Sequence, residues 1–286
     1  DMGVYDHDYS WDELTEVGID LAVKPPIPMS VALTHKYDSK GKLDRLKVRM
    51  AVAGHRGNMQ TGIYYDQTFA PTPNQHSMRM LQALYVRNSS WSRKSFDIKQ
   101  AYCWAKIPGN KLLAVKYPKG FERYRVDESG VKHELYIVLR RNLYGIPDAS
   151  RIWSQTRDKF LLSHFTKMGW TVTRSLCDPC LFHFVKPSNS PKDSPQSSSA
   201  KQDSKPSSST PQEVYALIHT DDVDMIGSDQ GILTEVLEAR DKEWKVKEVP
   251  SDFMLGVKRE DVRKDGEFSV KLIMTSYVDG MVKAFE

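Results

Sequence analysis

Two adjacent carboxylates, Asp221 and Asp222, stand in the stretch LIHTDDVDMIG (residues 217–227), flanked by Leu217, Ile218, Val223, Met225 and Ile226. These neighbours are apolar and mostly favour extended backbone, so the stretch predicts two short strands hinged at residues 219–222. Side-by-side like charges repel, and a plain solvent turn does not usually need apolar flanks. A third acid, Asp97, sits in a similar strand-end context in SFDIKQAY. Three hard oxygen ligands converging from two strands suit Mg²⁺, and two such ions can bridge a phosphate, activate an attacking hydroxyl and steady a leaving oxygen. Divalent cations would also relieve the repulsion between Asp221 and Asp222. The plainer alternative is that the pair are ordinary turn residues.

The elements that must position these acids follow from periodicity. Residues 30–53 alternate in two runs joined by Asp38-Ser39-Lys40-Gly41, which predicts a hairpin. Lys36, Lys40, Lys42, Arg45, Lys47, Arg49 and Arg56 make it a basic ribbon, either simply solvated or facing phosphates. Asn74 is an N-cap for a helix whose apolar positions are Met78, Leu81 and Tyr85. Residues 95–109 read as a strand entering a turn or short helix. Residues 149–165 read as a helix with Ile152, Trp153, Thr156, Phe160 and His164 on one face, and residues 178–185 as a strand. Leu233, Val236, Leu237 and Trp244 mark another helix, and a hairpin follows it. Helices and strands without a regular βαβ rhythm predict an α+β fold, an antiparallel sheet backed by helices.

Composition bounds the rest. The chain has 286 residues, 40% of them hydrophobic and 27% charged, which fits a globular fold with a substantial core. No apolar run approaches the ~20 residues of a membrane span. Without an initiator Met or a signal pattern, the chain reads as a piece of a longer, intracellular polypeptide. Three cysteines, Cys103, Cys177 and Cys180, are too few for a disulfide scaffold, and a zinc site built on Cys177 and Cys180 is disfavoured. Residues 1–23 carry seven acids and no Lys or Arg, so they are expected to be an acidic linker. Residues 186–212 hold ten Ser and five Pro and predict a disordered insertion at a hairpin tip.

The order and wording of the motifs resemble the reverse transcriptase domain of copia-type retrotransposons from about residue 24 onward. KVRMAVAGHRGNMQTGIYYDQTFAPTP is similar to that family's fingers segment, and FDIKQAYCWAKIPG to its first catalytic motif, DVKxAFLxGxL. LRRNLYGIPDASRIW resembles LxKALYGLKQAPRxW; SLCDPCLF, HTDD and FMLGVKRE resemble SxxDPCLF, YVDD and FLGIEIxR. The resemblance implies a right-hand polymerase: fingers at 24–94, palm at 95–245, then a primer-grip hairpin and the start of a thumb at 246–286. It implies RNA-directed DNA polymerisation with two Mg²⁺ ions, which Mn²⁺ can replace, acting on a primed template and deoxynucleoside triphosphates. Asp97, Asp221 and Asp222 would be catalytic and hold the metal. Lys47, Arg49, the backbone at Ile98, Tyr102, Tyr144 and Gly145 would bind the nucleotide, with Tyr102 abutting C2′ of the sugar. His219, Leu255 and Gly256 would position the primer. Integrase and RNase H regions would lie outside the chain, in a polyprotein of the cytoplasm, a virus-like particle or the nucleus. Tyr102 stands where the family has Phe, His219 where it has Tyr, and Pro147-Asp148-Ala149-Ser150 where it has Lys-Gln-Ala-Pro. The alternatives are an inactive relic that only binds nucleic acid, and a two-metal nuclease using the same acids.

Overall fold

The computed structural model describes residues 2–37, 42–55, 57–187 and 211–285. The chain divides into two compact units, residues 1–70 with 100–157 and residues 71–99 with 158–286. Elements are numbered in chain order.

In the first unit, β1 (Tyr5–Tyr9), β8 (Tyr136–Leu139) and β5 (Leu113–Lys116) form a sheet in the order β1-β8-β5. Its β8 residues are all buried, and α1 (Trp11–Glu16) packs Leu14 into a core with Ile19, Ala114, Tyr136 and Val138. Ser10 caps α1 through a reciprocal bond with Glu13, satisfying two orphan helix donors. The N-terminal acids are consumed by partners: Arg140 Nε lies 2.6 Å from Asp6, Arg123 3.0 Å from Asp8, and Arg125 2.9 Å from Glu13. The expectation of an acidic linker over residues 1–23 is therefore corrected, because strand pairing and long-range ion pairs draw this segment into the fold. β6 (Tyr124–Val126) and β7 (Lys132–Glu134) make a small hairpin, and α3 (Ala101–Trp104) is a single turn.

The basic ribbon is present. β2 (Met29–Tyr37) pairs antiparallel with β3 (Leu43–Val52), placing Lys47 opposite Thr34 and Arg49 opposite Ala32. The turn at residues 38–41, with Lys40, lies outside the described residues, as does Arg56. Because side chains alternate faces, Arg45, Lys47 and Arg49 share one face with Lys36, while Val31, Leu33, Leu46, Val48 and Met50 share the other.

The second unit is built on a six-stranded sheet ordered β13-β4-β12-β11-β10-β9. These are β4 (Ser92–Ile98), β9 (Thr171–Arg174), β10 (Leu181–Lys186), β11 (Gln212–His219), β12 (Asp222–Gly227) and β13 (Val246–Val249), all antiparallel to their neighbours. β10 and β11 form the expected hairpin, with Lys186 opposite Gln212. The expected disordered insertion thus has its two end residues in strands, and residues 188–210 lie outside the described residues. α5 (Gln230–Glu243) buries Ile232, Leu233, Val236 and Ala239, and packs on β4, β11, β12 and β13. α2 (Gln75–Arg87) starts at Asn74, whose side chain accepts from the His76 N–H, and buries Met78, Leu81 and Tyr85 as the spacing predicts. β14 (Phe253–Met254), β15 (Val257–Lys264) and β16 (Glu267–Ile273) form a further sheet, followed by α6 (Thr275–Phe285).

α4 (Ala149–Lys167) contains the boundary between the units. Its deepest residues are Trp153, Arg157, Leu161 and Phe165, one position on from the stripe through Thr156, Phe160 and His164, which is only half-buried. A charged residue at 157 hides that row from a reading based on apolar spacing. The architecture is α+β with an antiparallel sheet backed by helices. Among the described residues no helix is long and apolar enough to cross a membrane.

Candidate active site

β11 and β12 are joined by the two-residue loop Thr220–Asp221, one residue pair tighter than the hinge expected from sequence. Such a loop demands a left-handed backbone at its first position, where glycine or asparagine is usual. Thr220 supplies it at φ +54°, a conformation that costs a β-branched residue about 1–3 kcal/mol. The Ile98 N–H donates to the Asp221 carbonyl at 2.9 Å, so β4 clasps the loop from the far side.

The register then does the gathering. Asp222 lies directly opposite both Asp97 on β4 and His219 on β11. A ligand oxygen from each of Asp97, Asp221 and Asp222 lies within 4.8 Å of the others, and the three are half-buried or exposed. Like charges directly opposite across a sheet are destabilising. Although Asp222 is exposed by surface area, surrounding protein displaces water from its carboxylate. That desolvation, with the charges of Asp221 and Asp97 adding to it and His219 opposing, pushes its pKa above the ordinary carboxylate value. The donor set is all carboxylate oxygen, crowded and open to solvent, which fits a hard divalent cation.

On the same face as Asp97 and Asp222, one rung further along the sheet, Asp224 pairs with Ser95 across β12 and β4. The Ser95 hydroxyl donates to Asp224 at 2.7 Å, and Arg259 from β15 grips the carboxylate with Nη1 at 2.5 Å and Nη2 at 3.0 Å. Arg259 also donates to the Ser251 carbonyl at 2.8 Å. Two residues along β15, Asp261 accepts from Arg93 Nη2 at 2.6 Å. These pairs fix β15 against β12 and β4. Met254 and Val257 are register partners, so Leu255 and Gly256 form a two-residue loop, at φ +50° and +79°. The two positive angles suit a tight hairpin, and Leu255 packs partly into the core with Met254, Val257 and Leu81.

In the first unit, Tyr144 and Gly145 sit against the end of β3. The Val52 N–H donates to the Tyr144 carbonyl at 2.8 Å, and a Cβ on Gly145 would lie 1.9 Å from the Val52 carbonyl oxygen. Tyr102 on α3 meets the Tyr144 ring edge-on, with centroids 5.1 Å apart. Lys47 is half-buried and Arg49 exposed on the basic face of the strand that ends at Val52.

The structure thus brings together Asp97, Asp221, Asp222 and His219 in one unit, and Tyr102, Tyr144 and Gly145 in the other. At Ile98, whose backbone was expected to help hold the triphosphate, the N–H is donated to the Asp221 carbonyl, and the next amide, Lys99, donates to the Lys245 carbonyl at 2.9 Å. Sequence reasoning missed the Asp224–Arg259 pair. Its signal was an acid at an inward strand position among apolar residues, which must have a partner when buried. Asp178 of SLCDPCLF accepts from the Cys180 and Asn74 N–H groups, both at 2.9 Å, so the motif clamps the start of α2. Cys180 itself precedes β10 and is buried, and Cys177 is exposed.

Comparison with known proteins agrees with the motifs. The family described as reverse transcriptase (RNA-dependent DNA polymerase) matches residues 17–173. The chain is 25% identical over 231 residues to the retrovirus-related Pol polyprotein of transposon RE2 from Arabidopsis thaliana, covering 78% of this chain and 13% of that protein. It is 24% identical over 263 residues to the retrovirus-related Pol polyprotein of transposon TNT 1-94 from Nicotiana tabacum, covering 92% and 17%. The chain therefore spans less than a fifth of the length of these curated relatives. Among solved structures, apo telomerase from Candida tropicalis, truncated from its C-terminal domain, aligns with TM-score 0.38 and 12% identity over 91% of this chain and 58% of that one. The chain belongs to the reverse transcriptase family, as the copia-type wording of its motifs indicated.

Proposed function

We propose that the chain is an RNA-directed DNA polymerase that adds deoxynucleotides to a primer 3′-hydroxyl. The observation that carries this reading is the convergence of Asp97 and the Asp221–Asp222 pair at one end of an antiparallel sheet, with oxygens within 4.8 Å. When bound there, two Mg²⁺ ions supply charge neutralisation on the triphosphate and a lowered pKa for the attacking hydroxyl. Asp97 and Asp221 hold the metal, and Asp222 assists. The protein's share of the catalysis is positioning and electrostatics. Lys47 and Arg49 contact the triphosphate, Tyr144 and Gly145 lie under the templating pair, and Tyr102 excludes a 2′-hydroxyl. His219, Leu255 and Gly256 place the primer end. Residues 24–94 act as fingers, 95–245 as palm, and the hairpin from 246 onward as primer grip and start of the thumb.

The test is a labelled primer on RNA and DNA templates with Mg²⁺ and deoxynucleotides. Extension by the parent, abolished in Asp97→Ala and Asp221→Ala with circular dichroism retained, is the expected result. Extension that survives both substitutions overturns the reading. A shortened label instead identifies a nuclease, and salt-sensitive binding with no extension identifies a relic.

A further inference from the structure

We infer that Ser150 positions the Tyr102 ring and thereby sets how strongly the enzyme discriminates deoxyribose from ribose. The inference rests on the reading of Tyr102 as the residue that meets C2′ of the sugar. The Ser150 hydroxyl donates to the Tyr102 hydroxyl at 3.0 Å. The two positions are also departures from the motifs they resemble, Tyr102 standing in place of Phe and Ser150 in place of Pro. The additional phenolic hydroxyl thus meets an additional hydroxyl, one that the imino ring of proline could not offer.

The surroundings explain why a single bond carries such weight. α3 is only four residues long, its N-cap Gln100 lies at φ +55°, and no side chain caps it. A helix this short does not fix its own side chains, so the pose of the Tyr102 ring is set from outside. Two contacts do so. The Tyr144 ring meets it edge-on at 67°, and Ser150 holds its far end. Ser150 is a rigid post, the second residue of the 19-residue α4, anchored one turn later by the fully buried Trp153. The Tyr144 side is equally fixed, by the Val52 to Tyr144 backbone bond. Tyr102 itself is half-buried against the core that includes Ile107, Ile146 and Ala149. A ring held at both ends presents one face to its neighbour. Freed at the hydroxyl end, it swings about its two side-chain torsions and yields space.

The experiment compares kcat/KM for a deoxynucleotide and its ribonucleotide counterpart in single-nucleotide primer extension. Ser150→Ala is expected to lower the deoxy-to-ribo ratio by about 3- to 10-fold. Tyr102→Phe removes the same bond from the other side and is expected to lower it similarly, and the double variant no further. Ser150→Thr keeps the hydroxyl and keeps the ratio. If Ser150 only stabilises α4, both kcat/KM values fall together and the ratio holds, which overturns the inference. Additive losses in the double variant overturn it too. Tyr102→Ala separates the two levels. A ratio changed by Tyr102→Ala but not by Ser150→Ala overturns the inference alone. A ratio unchanged by Tyr102→Ala, or a parent that extends no primer, overturns the underlying reading as well.

Discussion

Replacing Arg259 by Leu tests whether the β15 clamp is as strong as its burial implies. The Arg259 and Asp224 side chains are 0% and 1% exposed. The substitution removes two bonds to Asp224 and one to the Ser251 carbonyl, and leaves a buried carboxylate with its Ser95 bond. Breaking a buried pair from one side costs about 3–5 kcal/mol, because the remaining charge is uncompensated. That lowers the local folded-to-open ratio by about 150- to 4,000-fold, at 1.4 kcal/mol per decade. Lys258 and Glu260, on the same strand, are an instructive contrast. They pair at 2.9 Å but are 52% and 42% exposed, so solvent screens the pair and Lys258→Met should leave exchange on β15 nearly unchanged. Because the chain has two compact units, a single global melting curve would mix their responses. Amide hydrogen exchange on β12 and β15 reads the local free energy directly. The double variant Asp224→Leu/Arg259→Leu should recover most of the loss, since an apolar pair of similar volume often matches a buried ion pair. A loss below about 1 kcal/mol for Arg259→Leu, or a double variant as unstable as the single, would refute the reasoning.

Three further outcomes are expected. Glu13 should titrate at about 2, held down by the Ser10 backbone N–H first and by Arg125 and the Ser10 hydroxyl after it. A lowered carboxylate stabilises the fold above its unfolded pKa of 4.5, and the contribution fades as pH falls from there toward about 2. A Glu13 carbon resonance titrating near 4.5 would return residues 1–23 to the status of a linker. Gly145→Ala should destabilise the first unit by at least about 2 kcal/mol, read by amide hydrogen exchange on β5 and β8, since φ is +88° and the added Cβ meets the Val52 carbonyl at 1.9 Å; unchanged exchange there would contradict this. Thr220→Gly should relieve the left-handed strain, and a raised denaturation midpoint of the second unit checks it.

What the sequence disclosed and what it hid follow from the range of the interactions. The clustering of Asp97, Asp221 and Asp222 was legible because charged residues at strand ends stand out among Phe96, Ile98, Ile218 and Val223. The β2–β3 ribbon and α2 were legible because alternation, turn residues and an N-cap are local signals. The N-terminal acids misled because their partners, Arg140, Arg123 and Arg125, are more than a hundred residues away, and a run of one charge looks solvated until those are in place. Asp224 and Arg259 hid because they meet between β12 and β15, 35 residues apart, with no local spacing to link them. That the Ile98 N–H is donated to Asp221 was not legible, because only the sheet register shows it.

The central claim is that Asp97, Asp221 and Asp222 form a divalent-cation site, and Mn²⁺ binding followed by electron paramagnetic resonance tests it most directly. With primed template and deoxynucleotide present, the six-line signal of free Mn²⁺ should diminish stoichiometrically with added protein. Asp97→Asn and Asp221→Asn should each leave it in solution. Undiminished binding by both variants would place the metal elsewhere and contradict the account.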